Sequence, residues 1–167
     1  MSRIGIVIYD PTDGSLFYGA APPPADIVAT FARSEAGEPL KTYIAQCEVL
    51  GAVAAYYTFP ARMRGRRVNH FVDNTAALSA LIHGYARKLD MARMVNAFHL
   101  QAAALELNVY FEFVPSLANI ADLPSRDEFA LLQRLQGTRV PIEFPPAADW
   151  TGPLRVWAER FRTPADA

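Results

Sequence analysis

Cysteine is almost absent from this sequence of 167 residues. The single thiol, Cys47, cannot form an internal disulfide, which excludes a disulfide-stabilised scaffold and is typical of a reducing compartment. The longest apolar run lies near Val49–Phe59 and is too short to cross a bilayer. The first residues also lack the apolar core and the cleavage site of a signal peptide. We therefore predict a cytoplasmic or nuclear protein that does not associate with membranes.

Charge of one sign is not in excess either. The sequence has 16 Lys and Arg against 17 Asp and Glu, which gives a formal net charge of −1. Any binding of nucleic acid must therefore rest on a local basic patch and not on a global field. The apolar fraction of 51% and the charged fraction of 20% exclude a disordered chain. The length is sufficient for one domain with a proper core.

Alternating strand and helix patterns predict an α/β domain with a mixed β-sheet flanked by helices. A β-hairpin is predicted first, from the β-branched segment Arg3–Asp10, the turn Pro11–Gly14 and the returning segment Ser15–Ala20. The connection Pro22–Leu40 is expected to hold one short helical piece. The elements predicted after it are a helix over Thr42–Phe59, a strand over Val68–Val72, a helix that starts after Asn74 and ends at Gly84, a helix over Asp90–Leu107, a strand over Asn108–Val114 and a helix over Ser125–Gly137.

The proline content divides the chain into two parts. We assign residues 1–137 to the α/β domain and residues 138–167 to a Pro-rich C-terminal tail with one short amphipathic helix around Leu154–Phe161. The strand Val68–Val72 is apolar on both faces apart from Asn69 and His70, which predicts a buried position in the middle of the sheet. The sequence does not specify an oligomeric state.

Three carboxylates stand at places where a lone charge needs an explanation. Glu48 is the only charged residue of its predicted helix between Tyr43 and Phe59. Asp73 directly follows the predicted central strand, where open α/β sheets place their ligands, and Asp122 lies in the loop after the last strand. Each also has a purely structural explanation. Glu48 can be a helix residue that reaches solvent, Asp73 can be a helix N-cap, and Asp122 can be an N-cap or a turn acid. Asn74 can cap the helix itself, which favours a functional role for Asp73.

Acids gathered in one crevice repel each other and raise each other's pKa. A divalent cation relieves this repulsion, and carboxylate oxygens are ligands that Mg²⁺ prefers. Two such ions can activate a water and stabilise the leaving oxygen during hydrolysis of a phosphodiester. If Glu48, Asp73 and Asp122 converge, they are candidate metal ligands and catalytic residues.

Segments around these acids resemble the ribonuclease H (RNase H) domain of retroelement reverse transcriptases. The similar segments are "IAQCEVLGAV", "FVDNTAALSALIHGY" and "FEFVPSLANIADLPSR", together with the hairpin "GIVIYDPTDGSLFYG". The likeness covers roughly Arg3 to Arg126, with an insertion near Pro22–Leu40. It implies an RNase H-like fold in which Glu48, Asp73 and Asp122 bind two Mg²⁺ ions. The implied activity is cleavage of RNA in an RNA–DNA hybrid by a retroelement polymerase remnant or fragment.

The sequence departs from the family at the first strand, which carries a further metal-binding aspartate. That strand would precede Arg3, so the chain lacks it in this alignment. In a competing alignment Asp10 or Asp13 supplies the acid, since Thr12–Ser15 is similar to the first-strand signature. Against this, Pro11 interrupts the strand, and "DPTDG" is ordinary hairpin-turn chemistry.

A basic loop, "RMRGRR", lies between the second helix and the predicted central strand. Arginine binds phosphates in a bidentate manner, so these residues are candidates for contacts with a nucleic-acid backbone. The alternative, to which we give equal weight, is a loop that is simply exposed to solvent. Beside Asp73, Asn74 is also assigned to nucleic-acid contacts. The candidate nucleic-acid-binding residues are therefore Arg62, Arg64, Arg66, Arg67 and Asn74.

Three functions remain open at the level of sequence. The first is a Mg²⁺-dependent RNase H-type nuclease. The second is a catalytically inactive RNase H-like module that binds nucleic acid or protein, because the first-strand aspartate is missing. The third is an unrelated α/β domain in which the three acids never meet.

Overall fold

The computed structural model describes residues 3–31 and 43–148. The helix predicted around Leu154–Phe161 lies outside these residues, as do residues 32–40 of the connection Pro22–Leu40. The strands are β1 (Ile4–Asp10), β2 (Ser15–Ala21), β3 (Arg67–Val72), β4 (Asn108–Phe113) and β5 (Thr138–Arg139). The helices are α1 (Ala25–Phe31), α2 (Ile44–Thr58), α3 (Pro60–Met63), α4 (Thr75–His83), α5 (Leu89–Ala104), α6 (Asp122–Ser125) and α7 (Ala130–Arg134). The predicted α/β class is confirmed.

The described strands form two sheets. In the first, β1 pairs antiparallel with β2, and β2 pairs parallel with β5, so this small sheet is mixed. In the second, β3 and β4 pair in parallel along their whole length. Because β1 and β3 are not paired with each other, each has a neighbouring strand on one side only within the described chain.

The position of β3 corrects a prediction. A strand that is apolar on both faces was expected in the middle of the sheet, but β3 lies at the edge of a two-stranded sheet. Its exposure follows from this: Phe71 is 54% exposed, whereas Val72 at its end is buried. The sequence pattern predicts a strand in the middle of a sheet, with a neighbouring strand at each edge. Within the described chain, β3 has a neighbour at one edge only, which is β4.

The predicted hairpin is confirmed. Gly14 adopts a left-handed conformation with φ of 72°, and its N–H donates to the carbonyl of Asp10 at 2.9 Å. The carboxylate of Asp10 accepts from the Thr12 N–H, and that of Asp13 accepts from the Ser15 N–H. The segment from Asp10 to Ser15 is therefore a turn stabilised by its own aspartates, as the turn interpretation requires.

Helix α2 lies at the centre of the larger hydrophobic core. It buries side chains on several faces, including Val49, Leu50, Val53 and Tyr56. It packs against α5, α4 and β1. A helix that is apolar nearly all round is stabilised when neighbours cover most of its surface, and this explains its central position.

The ends of helix α4 agree with the sequence. The Asn74 side chain accepts from the Ala77 N–H at 3.0 Å, and Gly84 ends the helix in a left-handed conformation with φ of 65°. Both predicted caps are confirmed. Among residues 3–31 and 43–148, no helix combines the length and apolarity needed to span a bilayer.

The single helix predicted over Ser125–Gly137 is wrong. Two short helices, α6 and α7, replace it, and Asp127 between them has a positive φ of 61°. Ser125 ends α6 instead of capping a longer helix, and its hydroxyl donates to the carbonyl of Asp122 at 2.7 Å. The capping-box pattern was outweighed by the packing of α6 against β1 and β2.

The first residues of the predicted tail are part of the packed structure. Thr138–Arg139 form β5 beside β2, and the side chains of Ile142 and Phe144 pack against the main core. Residues 149–167 lie outside the described chain.

Gly5 fixes the position of α6, and so of Asp122. A Cβ atom at Gly5 would lie 2.1 Å from the carbonyl oxygen of Ala121 and 2.9 Å from the backbone nitrogen of Ser125. Only glycine lets this backbone approach so closely. We expect Gly5→Ala to lower the free energy of unfolding by about 3 kcal/mol, measured by urea denaturation.

Gly51→Ala provides the matched control. Its Cβ would meet only a side-chain methyl of Ile4, at 3.2 Å, and alanine is favoured over glycine in a helix interior. We expect a change of less than about 1 kcal/mol in this variant. Equal losses in the two variants would contradict the close approach at Gly5.

Candidate functional site

A cleft of about 570 Å³ separates β1 from β3. Its two walls are these strands, and its floor is the face of α2 that carries Cys47, Gly51 and Ala55. Residues 119–122 line one end, and arginines line the other. We call the first the acidic end, which comprises Glu48 and Asp122 of the lining together with Asp73, the residue directly after β3. We call the second the basic end (Arg62, Arg66 and Arg67).

Glu48 projects from the second turn of α2 into the cleft. It forms no ion pair within the described chain. Burial, with a smaller contribution from the negative charges of Asp73 and Asp122, raises its pKa from the ordinary value of 4.5 to about 7. Glu48, the only charged residue of an apolar helix, is therefore one member of a cluster of acids.

Asp73 joins β3 to α4. Because Asn74 caps the helix, the side chain of Asp73 is not used for capping. It also forms no ion pair within the described ranges. Its charge acts on both Glu48 and Asp122, so the three carboxylates interact as one cluster.

Asp122 is the first residue of α6, a four-residue helix within the segment that was predicted as a loop or short turn. Burial raises its pKa, with a further contribution from the charge of Asp73, while the nearby guanidinium of Arg126 lowers it. Arg126 Nη2 donates to the Asp122 carboxylate at 2.8 Å. The negative charge of the acidic end is thus partly neutralised at Asp122, by Arg126, while Glu48 has no ion-pair partner among the described residues.

The three acids interact, but they do not form a ready-made shell for one metal ion. Among the described residues, no three His, Cys, Asp or Glu side chains lie close enough together to hold a single ion. The arrangement raises the pKa of two carboxylates through burial and mutual repulsion, which is the situation that a divalent cation relieves. The chemistry of the donor set fits Mg²⁺, with the acids spread over more than one position.

Asp10 and Asp13 lie at the opposite end of the cleft. Arg66 Nη2 pairs with the Asp10 carboxylate at 3.0 Å, and Arg62 Nη1 pairs with Asp13 at 3.2 Å. Hydrogen bonds from Ser15 and Arg62 lower the pKa of Asp13 to about 2, and hydrogen bonds from Thr12 lower that of Asp10. These two acids are neutralised by arginine and are separate from the acidic end.

The predicted nucleic-acid-binding residues fall into two groups. Arg62 and Arg66 are engaged within the chain, since Arg62 also stacks 4.5 Å from the Phe17 ring and Arg66 donates to Thr12. Arg64 donates to the carbonyl of Ala104. Arg67, by contrast, is exposed at the start of β3. The fifth candidate, Asn74, uses its side-chain oxygen as a helix cap.

Sequence reasoning did not identify the small residues that form the floor of the cleft. Cys47, Gly51 and Ala55 follow one another at intervals of four residues, so they share one face of α2. That spacing is the signal that the sequence offered. Burial and the neighbouring charge of Glu48 raise the pKa of Cys47 to about 11, so the thiol is not a nucleophile.

His70, in the middle of β3, packs among aromatic side chains. Its Nδ1 is hydrogen-bonded to the Tyr56 hydroxyl at 2.9 Å, and its ring contacts Phe98 and Phe111. Burial lowers its pKa to about 4, so the ring is neutral at physiological pH.

No family model, curated protein or solved structure matches this chain. The assignment of function therefore depends on the sequence resemblance and on the geometry of the cleft.

The raised pKa of Glu48 gives a pH-dependent stability. Because the folded state binds this proton more tightly than the unfolded state, stability falls as the pH rises from about 4.5 to about 7 and stays lower above that range. We expect Glu48→Gln to be more stable than the wild type by about 2 kcal/mol at about pH 8 and equally stable at about pH 4.

Urea denaturation across this pH range provides the measurement. The control is Glu112→Gln, which changes an exposed residue of β4 and should leave the profile unchanged. A Glu48→Gln variant that follows the wild-type profile at every pH would show that the folded state does not raise the pKa of Glu48.

Proposed function

We propose that this chain is an RNase H-type domain of retroelement origin, which hydrolyses the RNA strand of an RNA–DNA hybrid with Mg²⁺. The observation that carries the proposal is the acidic end of the cleft, where burial, Asp73 and Asp122 raise the pKa of Glu48 to about 7. The resemblance of the surrounding segments to retroelement RNase H domains supports the same residues. Such a protein would act in the cytoplasm or the nucleus.

In this proposal Glu48, Asp73 and Asp122 hold two Mg²⁺ ions, which supply an activated water and a stabilised leaving oxygen when bound. Elements of the fold hold the carboxylate oxygens that would bind the ions. Glu48 is held by α2, Asp73 by the end of β3 and Asp122 by α6. Metal binding requires ionised carboxylates, so it is expected to release a proton from Glu48 near neutral pH.

Substrate recognition in the proposal depends on shape and on phosphate contacts, not on base sequence. An RNA–DNA hybrid presents phosphates and 2′-hydroxyl groups across a wide minor groove. Arg67, exposed at the start of β3, is the arginine of the basic end with the best access to a phosphate. Arg62 and Arg66 would first have to exchange their pairs with Asp13 and Asp10.

A second candidate function is an inactive RNase H-like module that binds nucleic acid or protein. Two observations favour it. No three ligating side chains of the described chain meet around a single ion. Asp10 and Asp13, which the competing alignment offers in place of the first-strand acid, are paired with arginines away from the acidic end.

Cleavage of a labelled RNA–DNA hybrid distinguishes the two functions. We expect Mg²⁺-dependent cleavage by the wild type and a loss of at least about a hundredfold in Asp73→Asn, since one charged group at the reacting centre contributes that much. Asp26→Asn, at an exposed position in the first turn of α1, is the control and should cleave normally.

Mg²⁺ binding is measured in parallel by thermal unfolding. The ion should stabilise the wild type more than Asp73→Asn, because a ligand raises stability only where it binds the folded state. Mg²⁺-dependent stabilisation without cleavage, together with hybrid binding, would favour the inactive module. The absence of both effects in a folded protein would reject the metal site.

The role of Arg67 can be tested through the salt dependence of hybrid binding. We expect Arg67→Ala to weaken binding and to reduce the slope of log affinity against log salt by about one, which corresponds to the loss of one phosphate contact. Arg93→Ala, at an exposed position of α5, should leave the slope unchanged. Equal slopes in wild type and Arg67→Ala would exclude the contact.

A further inference from the structure

We propose that the cleft between β1 and β3 binds an extended segment of a second polypeptide as an additional β-strand, which joins the two sheets into one. The inference concerns backbone hydrogen bonds and apolar packing, so it does not rest on the proposed nuclease function. Its occupant is a peptide with alternating apolar side chains.

The walls of the cleft are strand edges. Every residue of β1 and every residue of β3 lines the cleft. Because successive side chains of a strand point to opposite faces, a cavity that touches all of them lies beside the strand's edge. The other edge of β1 is paired with β2, and the other edge of β3 with β4. The edges toward the cleft therefore present the unpaired N–H and C=O groups of both strands.

The two strands run in opposite directions across the cleft. Arg66, just before β3, pairs with Asp10 at the end of β1. At the other end of the cleft, Asp73 follows β3 and acts on Asp122, while Ala121, next to Asp122, lies against Gly5 near the start of β1. A strand between them can thus be antiparallel to β1 and parallel to β3, which continues the pairing that each sheet already has.

The floor of the cleft suits large apolar side chains. Cys47, Gly51 and Ala55 are small, so this face of α2 leaves room above it. The helix is apolar on nearly all sides, and a helix of this kind is normally covered all round. Alternate side chains of an inserted strand would provide the cover on this face.

A peptide strand suits the cleft better than other ligands. A small apolar molecule would leave the backbone groups of β1 and β3 unpaired, at a cost for every buried group. In the absence of Mg²⁺, a nucleic acid would meet the acidic end, where Glu48 and Asp122 repel phosphate. Addition of a strand satisfies both edges, and it is an established mode of peptide recognition.

Charge determines the orientation of the peptide. In the orientation parallel to β3, its first residue lies at the basic end beside the exposed Arg67, and its last residue lies at the acidic end beside Glu48 and Asp122. An acidic first residue and a basic last residue complement these ends. The reverse arrangement of charges places like charges together.

The test uses the 167-residue chain and labelled peptides of seven residues, the length of β1, without Mg²⁺ or nucleic acid. The first peptide alternates Val and Thr between an N-terminal Glu and a C-terminal Lys. The second has these two charges exchanged. The third has the first peptide's charges with Pro at its centre, which removes a ladder N–H. Binding is measured by fluorescence anisotropy and by amide hydrogen exchange.

We expect the first peptide to bind at least about tenfold more tightly than the other two and to slow amide exchange in β1 and β3 by a similar factor, with little change in α5. Equal binding of the proline peptide, or slowed exchange that does not include both strands, would overturn the proposal. Protection of β1 and β3 without peptide, together with a dimer in gel filtration, would identify a second copy as the occupant and also overturn it. Since no metal is present, failure here leaves the nuclease test unaffected.

Discussion

The structure depends on the burial of one apolar helix. Helix α2 places Val49, Leu50 and Val53 in the core, and the rest of the chain packs around it. Burial of such side chains stabilises the fold by roughly 2 kcal/mol each. The same burial removes Glu48 from water and gives this carboxylate a raised pKa. The hydrophobic packing that holds the domain together thus also makes the ionised form of Glu48 unfavourable unless a cation lies beside it.

The cleft beside α2 combines two unsatisfied features. Its acidic end holds carboxylates that repel each other, and its walls are strand edges with unpaired backbone groups. A cation would relieve the first, and a peptide strand would satisfy the second. The two are physically independent, because one concerns charge at the end of the cleft and the other concerns hydrogen bonds along its length. At the basic end, by contrast, Arg62 and Arg66 are paired with aspartates of the hairpin turn, while Arg67 is exposed.

Local signals in the sequence were interpreted correctly where the structure is local. The hairpin turn at Asp10–Ser15, the cap at Asn74 and the stop at Gly84 all depend on residues within a few positions of one another. The helix predicted over Ser125–Gly137 was wrong because a non-local contact decides it. The backbone of α6 packs against Gly5, more than a hundred residues away, and the chain turns after Ser125 to make this contact.

The sequence by itself determined the α/β class, the central apolar helix and the choice of Glu48, Asp73 and Asp122 as the acids to examine. Periodicity, caps and turns are encoded within short stretches of the chain, and a solitary acid in an apolar helix is visible without coordinates. Only the tertiary structure decided that these acids influence one another, that Asp10 and Asp13 are separate from them, and that β3 borders an open cleft. Charge interactions and strand pairing join residues far apart in sequence, and their distances are set by the packing of the whole domain.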